Sequence, residues 1–293
     1  MSDSVVIGSS GDQAEIRHLG GELTVWRVGT RNLLWTADPA IWPKTSPILF
    51  PIVGRLREDA IAIGPNRYRM GVHGFAAAAE FTLASKDDDT VCLRLTDTPA
   101  TRSMFPFSFQ LDTLYRLGPR RLDVTFTVTN TGNEPLPYAL GWHPGFAWPF
   151  SGGRRDEYAV LFDKSERREV PVITSEGLFS SRLRSIPIVG ERLPVNDALL
   201  ANEALCFLEA RSRSLRFSAP DGAVIRMELE DFPHIALWSR PPAPFLCIEA
   251  WTGHGDPEGF DGDILDKPSM RFLPAGAVAI HAVRLSYEPP LPA

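Results

Sequence analysis

The chain has 293 residues, 44% of them hydrophobic, which is enough for a sizeable core, and its 26 prolines work against long helices. A net charge of −6 argues against tight binding to a phosphate backbone, so no nucleic-acid partner is expected. Residues 1–10 lack a basic stretch followed by a long apolar run, and no apolar window reaches the roughly 18 residues of a membrane span. The expectation is therefore a cytoplasmic protein with no signal peptide and no membrane partner.

In chain order, Ser46-Pro-Ile-Leu-Phe-Pro-Ile-Val-Gly-Arg-Leu56 reads as an apolar strand with Arg55 just past a glycine at its end. Gly71-Val-His-Gly-Phe75 follows, with His73 ahead of the small-residue run from Ala76 to Ala79. Period-two alternation predicts strands at Val91-Cys-Leu-Arg-Leu95, Phe107-Ser-Phe-Gln-Leu-Asp-Thr113 and Leu122-Asp-Val-Thr-Phe-Thr-Val-Thr129. In the last of these, Leu122, Val124, Phe126 and Val128 share one face. Gly141-Trp-His-Pro-Gly-Phe146 places His143 among residues that fix the backbone, and Ser151-Gly-Gly-Arg-Arg-Asp156 reads as a surface turn. Leu215-Arg-Phe217 and Ile225-Arg-Met-Glu-Leu229 flank Ala219-Pro-Asp-Gly222, whose Pro-Asp-Gly predicts a hairpin. Phe245-Leu-Cys-Ile-Glu-Ala-Trp-Thr252 is a buried strand carrying one carboxylate, Glu249, and Val278-Ala-Ile-His-Ala-Val-Arg-Leu285 a final strand. Helices are predicted only at Thr98-Pro99 and from an Asn196 cap through Ala201, both short. The pattern is all-β, a large antiparallel β-sandwich or barrel. No repeat or composition break divides it, so residues 1–293 form a single domain. Cys92, Cys206 and Cys247 sit singly in strands, an odd, scattered set that fits reduced core thiols.

Three of these segments depart from plain core chemistry. A strand glutamate ordinarily points to solvent or pairs with an arginine. Glu249 sits instead among Phe245, Leu246, Ile248 and Trp251, where desolvation raises a carboxyl pKa and suits it to accept a proton near neutrality. His143 is either a turn histidine packed by Trp142 or a proton donor, since imidazole titrates in the physiological range. His73 is either a turn residue or a hydrogen-bond donor to a ligand oxygen. Arg55 is either a surface cation or a grip on ligand hydroxyls. Among the aromatics near these segments (Phe75, Trp142, Phe146, Trp148 and Trp251), at least half belong to a core, and the others offer an apolar face to a sugar ring, Trp142 being the candidate taken as substrate-binding.

His254-Gly-Asp256 and Glu258 read as turn residues, and no histidine or cysteine pair has metal-ligand spacing, so no metal is expected. Nucleotide-binding glycine patterns and a Gly-x-Ser-x-Gly elbow are missing as well. One carboxylate and two histidines on separated strands are components for acid–base chemistry on a small neutral molecule. Proton removal and delivery must serve one bound substrate. Glu249 and His143 are therefore predicted to face each other across one cleft, a sugar ring apart.

Taken together, Pro47-Ile-Leu-Phe-Pro-Ile-Val-Gly-Arg55, Tyr68-Arg-Met-Gly-Val-His-Gly-Phe75, Gly141-Trp-His-Pro-Gly-Phe146 and Cys247-Ile-Glu-Ala-Trp-Thr-Gly253 resemble the aldose 1-epimerase (galactose mutarotase) family, in particular its bacterial branch of lactose-operon-type proteins. The resemblance spans roughly residues 46 to 253. It implies a β-supersandwich with an open cleft, a small-molecule hexose as partner, and a cofactor-free interconversion of α and β anomers. It further implies Glu249 as general base, His143 as general acid, and His73 and Arg55 as ligands of sugar oxygens. Two departures stand out. Ala77 occupies the place where the family's His-Gly-Phe-Ala-Arg carries arginine, and the family's acidic sugar ligand has two candidates here, Asp197 and Glu203. Alternatives are a non-catalytic carbohydrate-binding domain, favoured by Ala77, and a hexose-6-phosphate mutarotase drawing on Arg55, Arg57, Arg67 and Arg69. A glycosidase would need a second catalytic carboxylate.

Overall fold

In the strand Arg121–Asn130, Leu122, Val124, Phe126 and Val128 are buried while the threonines between them are only partly covered. The same one-sided burial runs through Thr90–Thr96, Phe109–Gly118 and Val224–Glu230, as period-two alternation dictates when one face meets a core. The computed structural model describes residues 3–8 and 11–290. These strands belong to a nine-stranded antiparallel sheet ordered Arg192–Pro194, Ala159–Phe162, Ser214–Ser218, Val224–Glu230, Val278–Glu288, Arg121–Asn130, Phe109–Gly118, Thr90–Thr96, Thr82–Lys86. The Pro-Asp-Gly turn joins Ser214–Ser218 to Val224–Glu230, with the Ala219 N–H donating to the Ala223 carbonyl.

A second sheet orders Leu205–Phe207, His234–Trp238, Phe245–Trp251, Gly141–Trp142 and Ile48–Leu49, and Gly145–Ala147 also pairs with Phe245–Trp251. Its inner face packs on the nine-stranded sheet. Trp142 lies 6.3 Å from Phe126 and Phe50 lies 5.0 Å from Phe109, ring centre to ring centre. An N-terminal sheet of four strands, Ser4–Gly8, Asp12–Arg17, Leu23–Val28 and Arg31–Asn32, is tied in by Tyr115, whose hydroxyl donates to the Gly21 carbonyl at 2.7 Å. The fold is the all-β sandwich that the alternation predicts. Both short helices form where expected, Pro99–Arg102 capped by Thr98 and Asp197–Leu200 capped by Asn196. The three cysteines are free. Among the described residues no helix is long and apolar enough to cross a membrane.

Phe126 is fully buried where the two sheets meet. Its replacement by alanine should cost about 3–5 kcal/mol, because a large ring leaves a cavity that paired strands cannot collapse. Urea unfolding measures this. A loss under about 1 kcal/mol, the range of well-tolerated core changes, would show that the inter-sheet contact does not hold the layers.

Candidate active site

The strand Phe245–Trp251 is buried along its whole length, and its two faces have different neighbours. Leu246, Ile248 and Ala250 join the main core. Phe245 and Cys247 join a small cluster with Trp35, Trp42 and Trp238, and Glu249 and Trp251 continue that face into an open cleft of about 840 Å³. Parity along the strand is therefore what brings the carboxylate to the cleft wall.

His143 arrives there by register. Gly141 pairs with Trp251, Trp142 with Ala250 and Gly145 with Cys247, so the position facing Glu249 across the strands is His143. The geometry agrees, since His143 Nε2 lies 3.2 Å from Glu249 Oε1. The two are neighbours on one wall, rather than a sugar ring apart as the sequence predicts. A pair in contact still suffices for one substrate, because the anomeric and ring oxygens of a sugar are bonded to the same carbon. Trp251 Nε1 donates to the other carboxylate oxygen at 3.0 Å.

Trp142 is a correction. It neighbours His143 along the strand, so alternation sends it to the opposite face, where it is fully buried against Phe126 and has no part in the cleft. Phe146 and Trp148 are also fully buried in the core, and of the aromatics singled out from sequence only Trp251 lines the cleft. The indoles that do so beside it are Trp42 and Trp238, with ring centres 5.1 and 5.6 Å from that of His143.

His73 reaches the cleft from an unusual backbone. It has φ of 66°, and the following Gly74 has φ of 76°, where a Cβ would stand 2.3 Å from the Phe50 carbonyl oxygen. Glycine is required at that approach. His73 and Gly54 are reciprocally bonded: the His73 N–H donates to the Gly54 carbonyl at 2.9 Å, and the Gly54 N–H donates to His73 Nδ1 at 3.0 Å. With Nδ1 accepting, a neutral His73 carries its proton on Nε2 and acts as a donor. Arg55, next to Gly54, also lines the cleft, its guanidinium held by Asp59 at 2.9 Å.

Burial sets the charges. It raises the Glu249 carboxyl to about 8, against the opposing Trp251 hydrogen bond. It lowers His143 to about 3, helped by nearby His73, and lowers His73 to about 4. At neutral pH burial thus favours a protonated carboxyl against a neutral imidazole. Moving that one proton across the 3.2 Å contact gives carboxylate and imidazolium. The two forms are tautomers with the same proton count.

Of the two acidic candidates, Glu203 lines the cleft, paired with Arg184 at 3.1 Å and accepting the Ile173 N–H at 2.7 Å. Asp197 instead pairs with Arg155 at 2.8 Å beside a different surface depression. The turn at 174–177, tip of the hairpin between Glu169–Ile173 and Phe179–Ser185, also lines the cleft, as does Lys44. Neither carried a sequence signal, because a polar turn and a loop lysine look like ordinary surface. Arg57 and Arg67 line a separate cavity of about 190 Å³, and Arg69 is exposed outside the cleft, so the arginine cluster considered from sequence is not assembled. Asp256 is taken up by Lys267 at 2.6 Å and by the Arg57 N–H at 2.9 Å.

The aldose 1-epimerase family profile matches residues 3–200. Over 269 residues the chain is 30% identical to the plasmid-encoded protein LacX of Lactococcus lactis, covering 87% of this chain and 90% of that protein. Among solved structures it resembles a galactose mutarotase-like protein from Lactobacillus casei, with a TM-score of 0.90, 28% identity, and coverage of 97% of this chain and 100% of the other. A galactose mutarotase related enzyme from Lactobacillus acidophilus has the same TM-score at 26% identity, with 98% of each chain covered.

Proposed function

Since the chain belongs to the aldose 1-epimerase family, we propose that this cleft opens and recloses the ring of a free hexose, interconverting its α and β anomers without a cofactor. The observation that carries this reading is the buried Glu249 carboxyl in 3.2 Å contact with the His143 imidazole on the wall of an open cleft. One group must take the proton of the anomeric hydroxyl while the other gives a proton to the ring oxygen, and the C1–ring-oxygen bond breaks as the aldehyde forms. With Glu249 as base and His143 as acid, turnover starts from the carboxylate–imidazolium tautomer. Ring opening leaves a protonated carboxyl and a neutral imidazole, which is the arrangement that burial favours. Rotation about C1–C2 presents the other face of the aldehyde, and closure returns both protons.

His73 Nε2–H and the free donors of Arg55 are placed to hold sugar oxygens, while Trp42, Trp238 and Trp251 offer apolar faces to the ring. A hexose phosphate fits less well. Arg55 is already paired with Asp59, and Arg57 and Arg67 lie outside the cleft, which leaves Lys44 as its one cation without an ion-pair partner among the described residues. Ala77 favours a second reading, a domain that binds sugar without turnover.

Polarimetry of freshly dissolved α-glucose, α-galactose and α-glucose-6-phosphate separates these readings. The neutral hexoses should mutarotate faster with protein than in buffer, and the phosphate much less so. Binding without acceleration of any of them would establish the non-catalytic reading.

A further inference from the structure

We propose that Lys44 is a substrate-binding residue of this cleft, its ammonium holding a sugar oxygen on the wall beside Ala77. This rests on the sugar-binding part of the reading above, not on proton transfer. Lys44 lines the cleft, and its Nζ donates to the Ala77 carbonyl at 2.7 Å. An ammonium has three donors, so two remain. Of the other charged groups of the cleft, Arg55 is paired with Asp59, Glu203 with Arg184, and Glu249 holds or shares a proton with His143, while Glu176 is exposed at the tip of the 174–177 turn. Among the described residues no carboxylate is within ion-pair distance of Lys44, so its charge faces the cleft uncompensated.

The backbone beside it is fixed. The buried Glu22 carboxylate accepts the N–H groups of Thr45 at 2.6 Å and Ser46 at 3.0 Å, and its other oxygen is paired with Arg17. The lysine therefore projects from an anchored segment, which lowers the entropy lost when its head is ordered on a ligand. Position 77 offers only a methyl group to the cleft. The ammonium resting on the Ala77 carbonyl thus supplies polar donors beside that methyl group.

The test compares wild type with Lys44→Met and Lys44→Arg. Anomer exchange is followed by polarimetry, and binding of glucose, galactose, xylose and arabinose by quenching of tryptophan fluorescence, since Trp42, Trp238 and Trp251 line the cleft. Methionine keeps the stem and removes the charge. It should raise both KM and Kd for the bound aldose about 10- to 100-fold, the size of a lost charged hydrogen bond. Its kcat should stay within about twofold, as for a residue that binds ground and transition states alike. Lys44→Arg should restore most of the affinity. A wild type that binds sugar without accelerating its mutarotation would refute the enzymatic reading while leaving the Kd comparison to decide the role of Lys44. If Lys44 is merely a clip on the Ala77 carbonyl, Lys44→Met lowers Tm and leaves Kd unchanged. That result, or a wild type that binds none of the four aldoses, overturns the proposal.

Discussion

Glu249→Gln should lower kcat by about 10²–10⁴-fold while leaving sugar affinity nearly intact, the loss expected when a general base is removed. Glutamine keeps the shape of the side chain and the acceptor for Trp251 Nε1 but takes no proton at this pH. The same substitution should have an opposite effect on stability at alkaline pH. The folded chain holds the Glu249 proton up to about 8, whereas the unfolded chain releases it near the ordinary value of 4.5. Stability is therefore lost as pH rises through that window, because ionising a buried carboxyl is costly. Glutamine carries no such cost, so at pH 9, above the folded-state value, Glu249→Gln should melt at a higher temperature than wild type. A variant with near wild-type turnover would mean that another residue is the base. A Tm below wild type at that pH would contradict the burial argument.

The second large effect is in the pH profile. Glu249 and His143 need one proton between them, so kcat/KM should fall as pH rises through about 8, where that proton is lost. On the acid side it should fall only between about 4 and 3, where His73 and His143 become cationic. The plateau is accordingly wider toward acid than reference values for a carboxylate and an imidazole would give. In His143→Asn the rate should drop by about 10²–10⁴-fold. The residual activity should then rise with pH through the Glu249 titration instead of falling, because the remaining base works only when ionised. Rate measurements from pH 3 to 10 on both proteins distinguish these slopes. A residual rate in His143→Asn that still falls above pH 8 would argue against a proton shared with the imidazole.

Glu249 was legible because a single carboxylate inside Phe245–Trp251 contradicts its own surroundings. His143 and His73 were legible as histidines held by glycine and proline, although their convergence depends on strand register, and one sequence does not state which strands pair. Trp142 was misassigned by proximity in sequence, and strand parity assigns it to the core. Trp238 went unnoticed because His234–Trp238 reads as one more buried strand, and Trp42 because it lies in a loop. Lys44 and the 174–177 turn gain meaning only from what lies beside them in space. Hydrophobic alternation is local and recovers the sandwich, whereas a cleft is assembled from distant segments and recovers only where the chemistry of a side chain is out of place.

Magnetisation transfer between the α and β anomeric protons of galactose tests most directly whether the Glu249–His143 pair exchanges anomers. With wild-type protein at pH 7, saturating one anomeric signal should diminish the other at a rate well above that in buffer, and with Glu249→Gln the transfer should return toward the buffer rate while the sugar still binds. Equal transfer with and without wild-type protein, under conditions where galactose binding is saturated, would contradict the account.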